Sequence, residues 1–172
     1  MRLHLLALGL VFLAASPAWA KAAQGAKAAL VNAKGERVGT AEFKEVTDGV
    51  QVSLEISKLP PGRHAFHIHS VGKCDDPDFK TAGPHFNPYN KKHGRENLEG
   101  PHAGDLPDIQ VGPDGTGSLQ TVVEDVTLYG EGEDSLFHPG GTSVVVHASP
   151  DDNKTDPAGN AGERIACGAI TR

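Results

Sequence analysis

From residue 28 to residue 170 the chain alternates apolar and polar positions in short runs broken by turn chemistry. In the clearest run Val50, Val52, Leu54 and Ile56 alternate with Gln51, Ser53 and Glu55, the period of two that buries one face of a strand and wets the other. The same reading predicts strands over 28–31, 37–43, 64–69, 108–111, 118–123, 144–147 and 164–170. Separators such as Thr47-Asp48-Gly49, Pro60-Pro61-Gly62 and Pro113-Asp114-Gly115 are turn sequences, and Asp-Gly is a strong hairpin signal. Eight short strands and no convincing amphipathic helix indicate an all-β sandwich or barrel. Two long stretches poor in apolar periodicity interrupt it, 71–105 and 149–163, with an acidic connection over 124–141. Loops of such length inside a compact domain are uncommon unless they carry function.

The chain has 172 residues, a length that suits one domain. Its first twenty residues carry the marks of a secretory signal: Arg2 as the positive start, an apolar run over 5–15, and Ala18-Trp19-Ala20 as the small-residue cleavage site. The expected mature chain starts near Lys21, in the periplasm or outside the cell. The apolar run is too short for a membrane span, which needs about 20 residues, and no later stretch approaches that. Export changes the reading of the two cysteines, Cys74 and Cys167. In an oxidising compartment a lone pair is most simply a disulfide, with free thiols or metal ligands as the alternative. The formal charge is −6, and loss of Arg2 with the leader makes it −7. No basic patch marks a nucleic-acid partner, and an anionic substrate would need a local positive field.

The unusual chemistry lies between His67 and Asp105. His67, His69, His85, His93, His102 and Asp105 fall inside 39 residues, a density that metal binding readily explains. On a strand, His67 and His69 share a face, a ready-made pair of imidazole ligands. His85, His93, His102 and Asp105 have the composition of a closed four-ligand zinc site. His67 and His69 joined by His147 make a nitrogen-rich site suited to copper, although three imidazoles also suit zinc, so ligand counting leaves that metal open. His64 is expected on the same strand face, either packed or backing a ligand rather than ligating, and His138 as a solvated loop residue.

These residues lie in motifs that closely resemble copper-zinc superoxide dismutase in its secreted bacterial form: Arg63-His64-Ala65-Phe66-His67-Ile68-His69, Ala82-Gly83-Pro84-His85-Phe86-Asn87-Pro88, Lys92-His93-Gly94, Pro101-His102-Ala103-Gly104-Asp105-Leu106, Val145-Val146-His147 and Gly159-Asn160-Ala161-Gly162-Glu163-Arg164-Ile165-Ala166-Cys167-Gly168. The likeness covers nearly all of residues 21–172, in order. It implies an immunoglobulin-like Greek-key β-barrel with two long functional loops. It also implies one copper held by His67, His69, His85 and His147, and one zinc held by His85, His93, His102 and Asp105, with His85 bridging the two. Cys74 and Cys167 match the family's disulfide. Asp151 matches the carboxylate that hydrogen-bonds a ligand histidine on each metal, and Arg164 the cation beside the copper.

The reaction so implied is dismutation of superoxide to oxygen and hydrogen peroxide, with His85 and Arg164 as its working side chains. Family members occur as monomers and as homodimers. A periplasmic copper- or zinc-binding module without turnover is the competing reading, and a zinc hydrolase a third, although no glutamate stands near the imidazole-rich site as a general base. The chain departs from the family pattern at an extra acidic piece, Asp75-Asp76-Pro77-Asp78. The loop between Asp151 and Arg164 is also short beside the best-known eukaryotic members, so guiding charges such as Lys154 are not carried over.

Overall fold

A computed structural model describes residues 25–172; the leader expected over 1–20 lies outside them. The described chain is all-β, with one 3₁₀ turn at Lys80–Ala82. The strands are β1 (Gly25–Asn32), β2 (Arg37–Val46), β3 (Gly49–Ile56), β4 (Gly62–His64), β5 (Phe66–His69), β6 (Ile109–Val111), β7 (Gly117–Val123), β8 (Ser143–His147) and β9 (Arg164–Ala169). Seven of them form one curled sheet in the order β5-β8-β9-β1-β2-β3-β7, and β4 pairs with β6. β1 to β3 are hairpin-linked neighbours, whereas the chain must return from β7 at one end of the sheet to β8 near the other, the long connection of a Greek key.

The expected strands are all present, and the one over 64–69 is divided at Ala65. Residues 62–64 pair with 109–111, while residues 66–69 pair with 143–146. Ala65 itself is buried and bonds elsewhere: its N–H donates to the Ser149 carbonyl at 2.9 Å and its carbonyl accepts from the His147 N–H at 2.9 Å. One run of β-forming sequence thus changes partner because a strand's preference for extension does not choose its neighbour.

Alternation decides which side faces the core. In β3 Val50, Val52, Leu54 and Ile56 are buried together with Leu30, Ala41, Phe43, Phe66, Ile68, Val144 and Val146. β5 and β8 differ from β3 in being buried on both faces. Phe66 and Ile68 point into the core, which leaves His67 and His69 on the other face, under the two long loops. The connection from β7 to β8 is pinned by Glu45 of β2, whose carboxylate accepts from the Leu128 N–H at 2.8 Å and the Thr127 hydroxyl at 3.2 Å.

Cys74 and Cys167 form the disulfide, with Cα atoms 5.6 Å apart and a sequence separation of 93. Such a link ties the 71–84 loop to β9. In the chain-entropy account a loop of this size is worth about 4 to 5 kcal/mol. Reduction, or Cys74→Ser, is expected to lower the free energy of unfolding by about 2 to 5 kcal/mol, read from denaturant curves with and without reductant; an unchanged midpoint would sink this account.

Candidate metal centre

The free edge of β5 determines where the loops go. Ile68 donates its N–H to the Gly104 carbonyl at 3.0 Å, and its own carbonyl accepts from the Phe86 N–H at 2.8 Å; Gly104 then donates to the Phe86 carbonyl at 2.9 Å. Two loop segments therefore occupy the place of a further strand, bridging His67 to Asp105 and His69 to His85. Only glycine fits at 104, because a Cβ there would overlap the Ile68 carbonyl oxygen. Across the sheet, β8 brings His147 to the same outer face.

Two buried donor groups result. His67, His69, His85 and His147 each offer one atom, all within 4.8 Å of one another, and so do His85, His93, His102 and Asp105. His85 belongs to both. In the second group the Oδ1 of Asp105 lies 2.9 Å from His85 Nδ1, 3.1 Å from His93 Nδ1 and 3.3 Å from His102 Nδ1. Tetrahedral zinc with bonds of about 2.0 Å holds its donor atoms about 3.3 Å apart, so the group already has nearly that shape. The first group is all nitrogen, with His69 Nε2 and His147 Nε2 facing each other at 3.4 Å. His67 Nδ1, His85 Nε2 and His102 Nδ1 are buried without a hydrogen-bond partner, an expensive condition that ligation would relieve. Both donor sets fit their metals, an imidazole group for copper and a histidine–carboxylate group for zinc.

The remaining nitrogens and oxygens are tied down from behind. Asp151 spans the two groups, 2.7 Å from His67 Nε2 and 3.0 Å from His93 Nε2. His69 Nδ1 lies 2.9 Å from the Gly83 carbonyl and His147 Nδ1 lies 3.3 Å from that of Gly162. The second oxygen of Asp105 accepts from the Gly94 and His102 N–H groups, each at 2.9 Å. Such partners orient the rings and select their tautomers. Gly159 must lack a side chain, since a Cβ would overlap both Asp151 and His93.

Electrostatics favours the metal-binding form at His69, His85 and His147 and opposes it at His93. Burial lowers His85 to about 4 and His147 to about 3, and holds His69 well below 6.5. These rings are therefore neutral near pH 7, with lone pairs available. His93 is raised to about 9: burial opposes its charge, but hydrogen bonds to Asp105 and Asp151 prevail. Asp105 and Asp151 stay below the usual carboxylate range, because the histidine rings against them, His102 foremost at Asp105 and His67 at Asp151, outweigh their burial.

All the residues expected at the site converge except that Arg164 and Asp151 act from its margins. Arg164, half-buried at the start of β9, donates from Nη1 to the Phe79 carbonyl and from Nη2 to the Gly83 carbonyl, both at 2.7 Å. His64 is in neither donor group; its ring spans the His147 carbonyl at 2.8 Å and the Pro60 carbonyl at 2.9 Å, packing as expected. His138 is only half-exposed: it stacks on Phe86, centroids 5.4 Å apart, with Nε2 buried. Sequence reasoning missed Gly104, Gly159 and Phe79, whose roles depend on close approach to distant segments.

Without metal, the depressed histidines bind fewer protons in the fold than in the unfolded chain between about pH 4 and 6.5. Stability therefore falls as pH drops through that window. His93 works oppositely, its contribution being complete below 6.5 and lost as pH rises through about 9. Denaturation of chelator-stripped protein is expected to show maximal stability near pH 6.5, with a flat acid side as the contrary result.

Residues 37–170 match the family model for copper/zinc superoxide dismutase. The chain is 54% identical over 142 residues to superoxide dismutase [Cu-Zn] 1 of Aquifex aeolicus, covering 82% of this chain and 84% of that one. Among solved structures it is similar to a superoxide dismutase-like protein from Bacillus subtilis, with 39% identity and a TM-score of 0.80 over 83% of this chain and 96% of that one. It is also similar to the Cu/Zn superoxide dismutase of Brucella abortus, with 28% identity and a TM-score of 0.70 over 86% and 100%. The matched span contains both cysteines, both donor groups, Asp151 and Arg164. With the Greek-key sheet, the shared His85 and this agreement along most of its length, the chain belongs to the copper/zinc superoxide dismutase family.

Proposed function

We propose that the chain dismutes superoxide at the imidazole group, with copper held by His67, His69, His85 and His147 and zinc by His85, His93, His102 and Asp105. The observation that carries this reading is the single ring of His85 common to both groups, with Nδ1 against Asp105 and Nε2 buried and without a partner. When bound, copper supplies the electron exchange by which one superoxide ion leaves as oxygen and a second, with two protons, becomes hydrogen peroxide.

The protein's part is to hold, aim and protonate. His85, kept at Nδ1 on the zinc side, takes a proton at Nε2 and gives it up to the departing peroxide. Asp151 fixes the rings of His67 and His93 through its two oxygens, so the two metal sites share one orienting group. Arg164 uses two of its five N–H groups on the Phe79 and Gly83 carbonyls, leaving three for an anion. The Gly83 carbonyl also faces His69 Nδ1, which ties the guanidinium to the copper-side histidines. A cleft of about 480 Å³ on the zinc side is bordered by His85, His102, Lys91, Lys92 and Asp156, and Lys92 pairs with Asp156 at 3.5 Å, so in a chain of net charge −6 the local positive field an anionic substrate needs rests on Arg164.

The disulfide is compatible with work outside the reducing cytosol. Together with the leader read from residues 1–20, it supports a mature periplasmic or secreted enzyme that clears superoxide at the cell envelope. Among the described residues no helix is long and apolar enough to cross a membrane.

Protein loaded with copper and zinc is expected to consume superoxide, and His147→Ala to reduce turnover at least about 100-fold while zinc content is kept. A fully metallated wild type without turnover would support the binding module instead. Arg164→Ala is expected to lower turnover about tenfold, the effect of losing one charge-assisted anion contact, and to flatten its dependence on salt; identical rates at low and high ionic strength in both proteins would refute the role of Arg164.

A further inference from the structure

The acidic insertion at 75–78 leads directly into Phe79, which carries a backbone φ of 53°. A bulky L-residue rarely adopts that left-handed conformation. Its ring explains why this one does. Phe79 is completely buried and packs with Ala82, Val145 and Cys167, flanked by the half-buried Val31 and Cys74. The ring is thus wedged beside the disulfide, in a small apolar cluster separate from the main core. A close-packed pocket of this kind allows few alternative positions, so the ring also fixes the direction of the Phe79 carbonyl.

That carbonyl is one of the two acceptors holding Arg164, the other being Gly83 four residues later. The flanking residues are both exposed and paired, Lys80 Nζ lying 2.6 Å from Asp78 Oδ2. Burial makes the Arg164 charge harder to hold and nearby Asp78 offsets this, while Lys80 limits how far Asp78 cancels the attraction for an anion.

Building on the reading of Arg164 as the cation that receives the anion, we propose that Phe79 is a positioning residue, whose buried ring holds the carbonyl that aims the guanidinium toward the copper side. It touches neither substrate nor metal ligand in this role. A residue that only filled space would affect folding and leave anion affinity unchanged.

Copper- and zinc-loaded protein titrated with azide, followed in the copper absorption band, tests this. Phe79→Ala is expected to raise the azide dissociation constant about three- to tenfold, as for a charge-assisted contact weakened but not removed. Phe79→Leu, which refills most of the pocket, should restore affinity, and Phe79→Ala should add no loss in an Arg164→Ala background. If Phe79→Ala does not fold, Phe79→Gly takes its place, since glycine accepts the left-handed backbone and lacks the ring. Wild-type affinity in the Phe79 variant alongside weak binding in Arg164→Ala overturns this inference alone, as does a further loss in the double variant. Wild-type affinity in Arg164→Ala overturns the reading of Arg164 and the inference built on it.

Discussion

The centre depends on how one edge strand satisfies its backbone. β5 ends the seven-stranded sheet, and an unpaired edge would leave its N–H and C=O groups without partners under a covering of loops. Ile68 resolves this by bonding to Gly104 and Phe86. The two loop segments are consequently held to the strand with ladder-like precision, and the residues beside them, His85 on one and Asp105 on the other, reach His69 and His67. The site is thereby built on sheet geometry even though four of its seven ligand residues belong to irregular chain.

That arrangement concentrates six histidines and two aspartates in a buried space. Left to themselves they conflict: the low values of His69, His85 and His147 record a burial that rejects charge, while His93 is held protonated by the carboxylates around it. Metal ions resolve this by giving each lone pair a partner. Asp151 contributes more than a single contact, because its two oxygens engage one histidine from each donor group. Disturbing it would disorient both.

The surroundings of Arg164 are assembled by a different set of constraints. β9 carries Arg164 and, three residues later, Cys167, so the disulfide and the guanidinium belong to one strand. The 71–84 loop is tied to that strand covalently at Cys74, by packing at Phe79, and by two carbonyls at Arg164. Redundant attachment of this kind lets an otherwise irregular loop serve as a rigid support, and lets a local positive site coexist with an acidic exterior.

Much of this was legible in the chain itself. The period of two in 50–56, the turn sequences and the pairing of His67 with His69 on one strand face are local consequences of backbone geometry, and they determined the all-β class and half of the imidazole site. The density of histidine between 67 and 105 announced metal chemistry for the same reason: few other environments make so many neighbouring imidazoles useful. Tertiary structure alone decided that the 64–69 run divides at Ala65, that Gly104 and Gly159 admit no side chain, that His138 stacks on Phe86, and that Phe79 supports Arg164. Those outcomes depend on which distant backbone or ring comes within a few ångströms, a choice made by the balance of packing and hydrogen bonding over the whole sheet, and local sequence has no term for it.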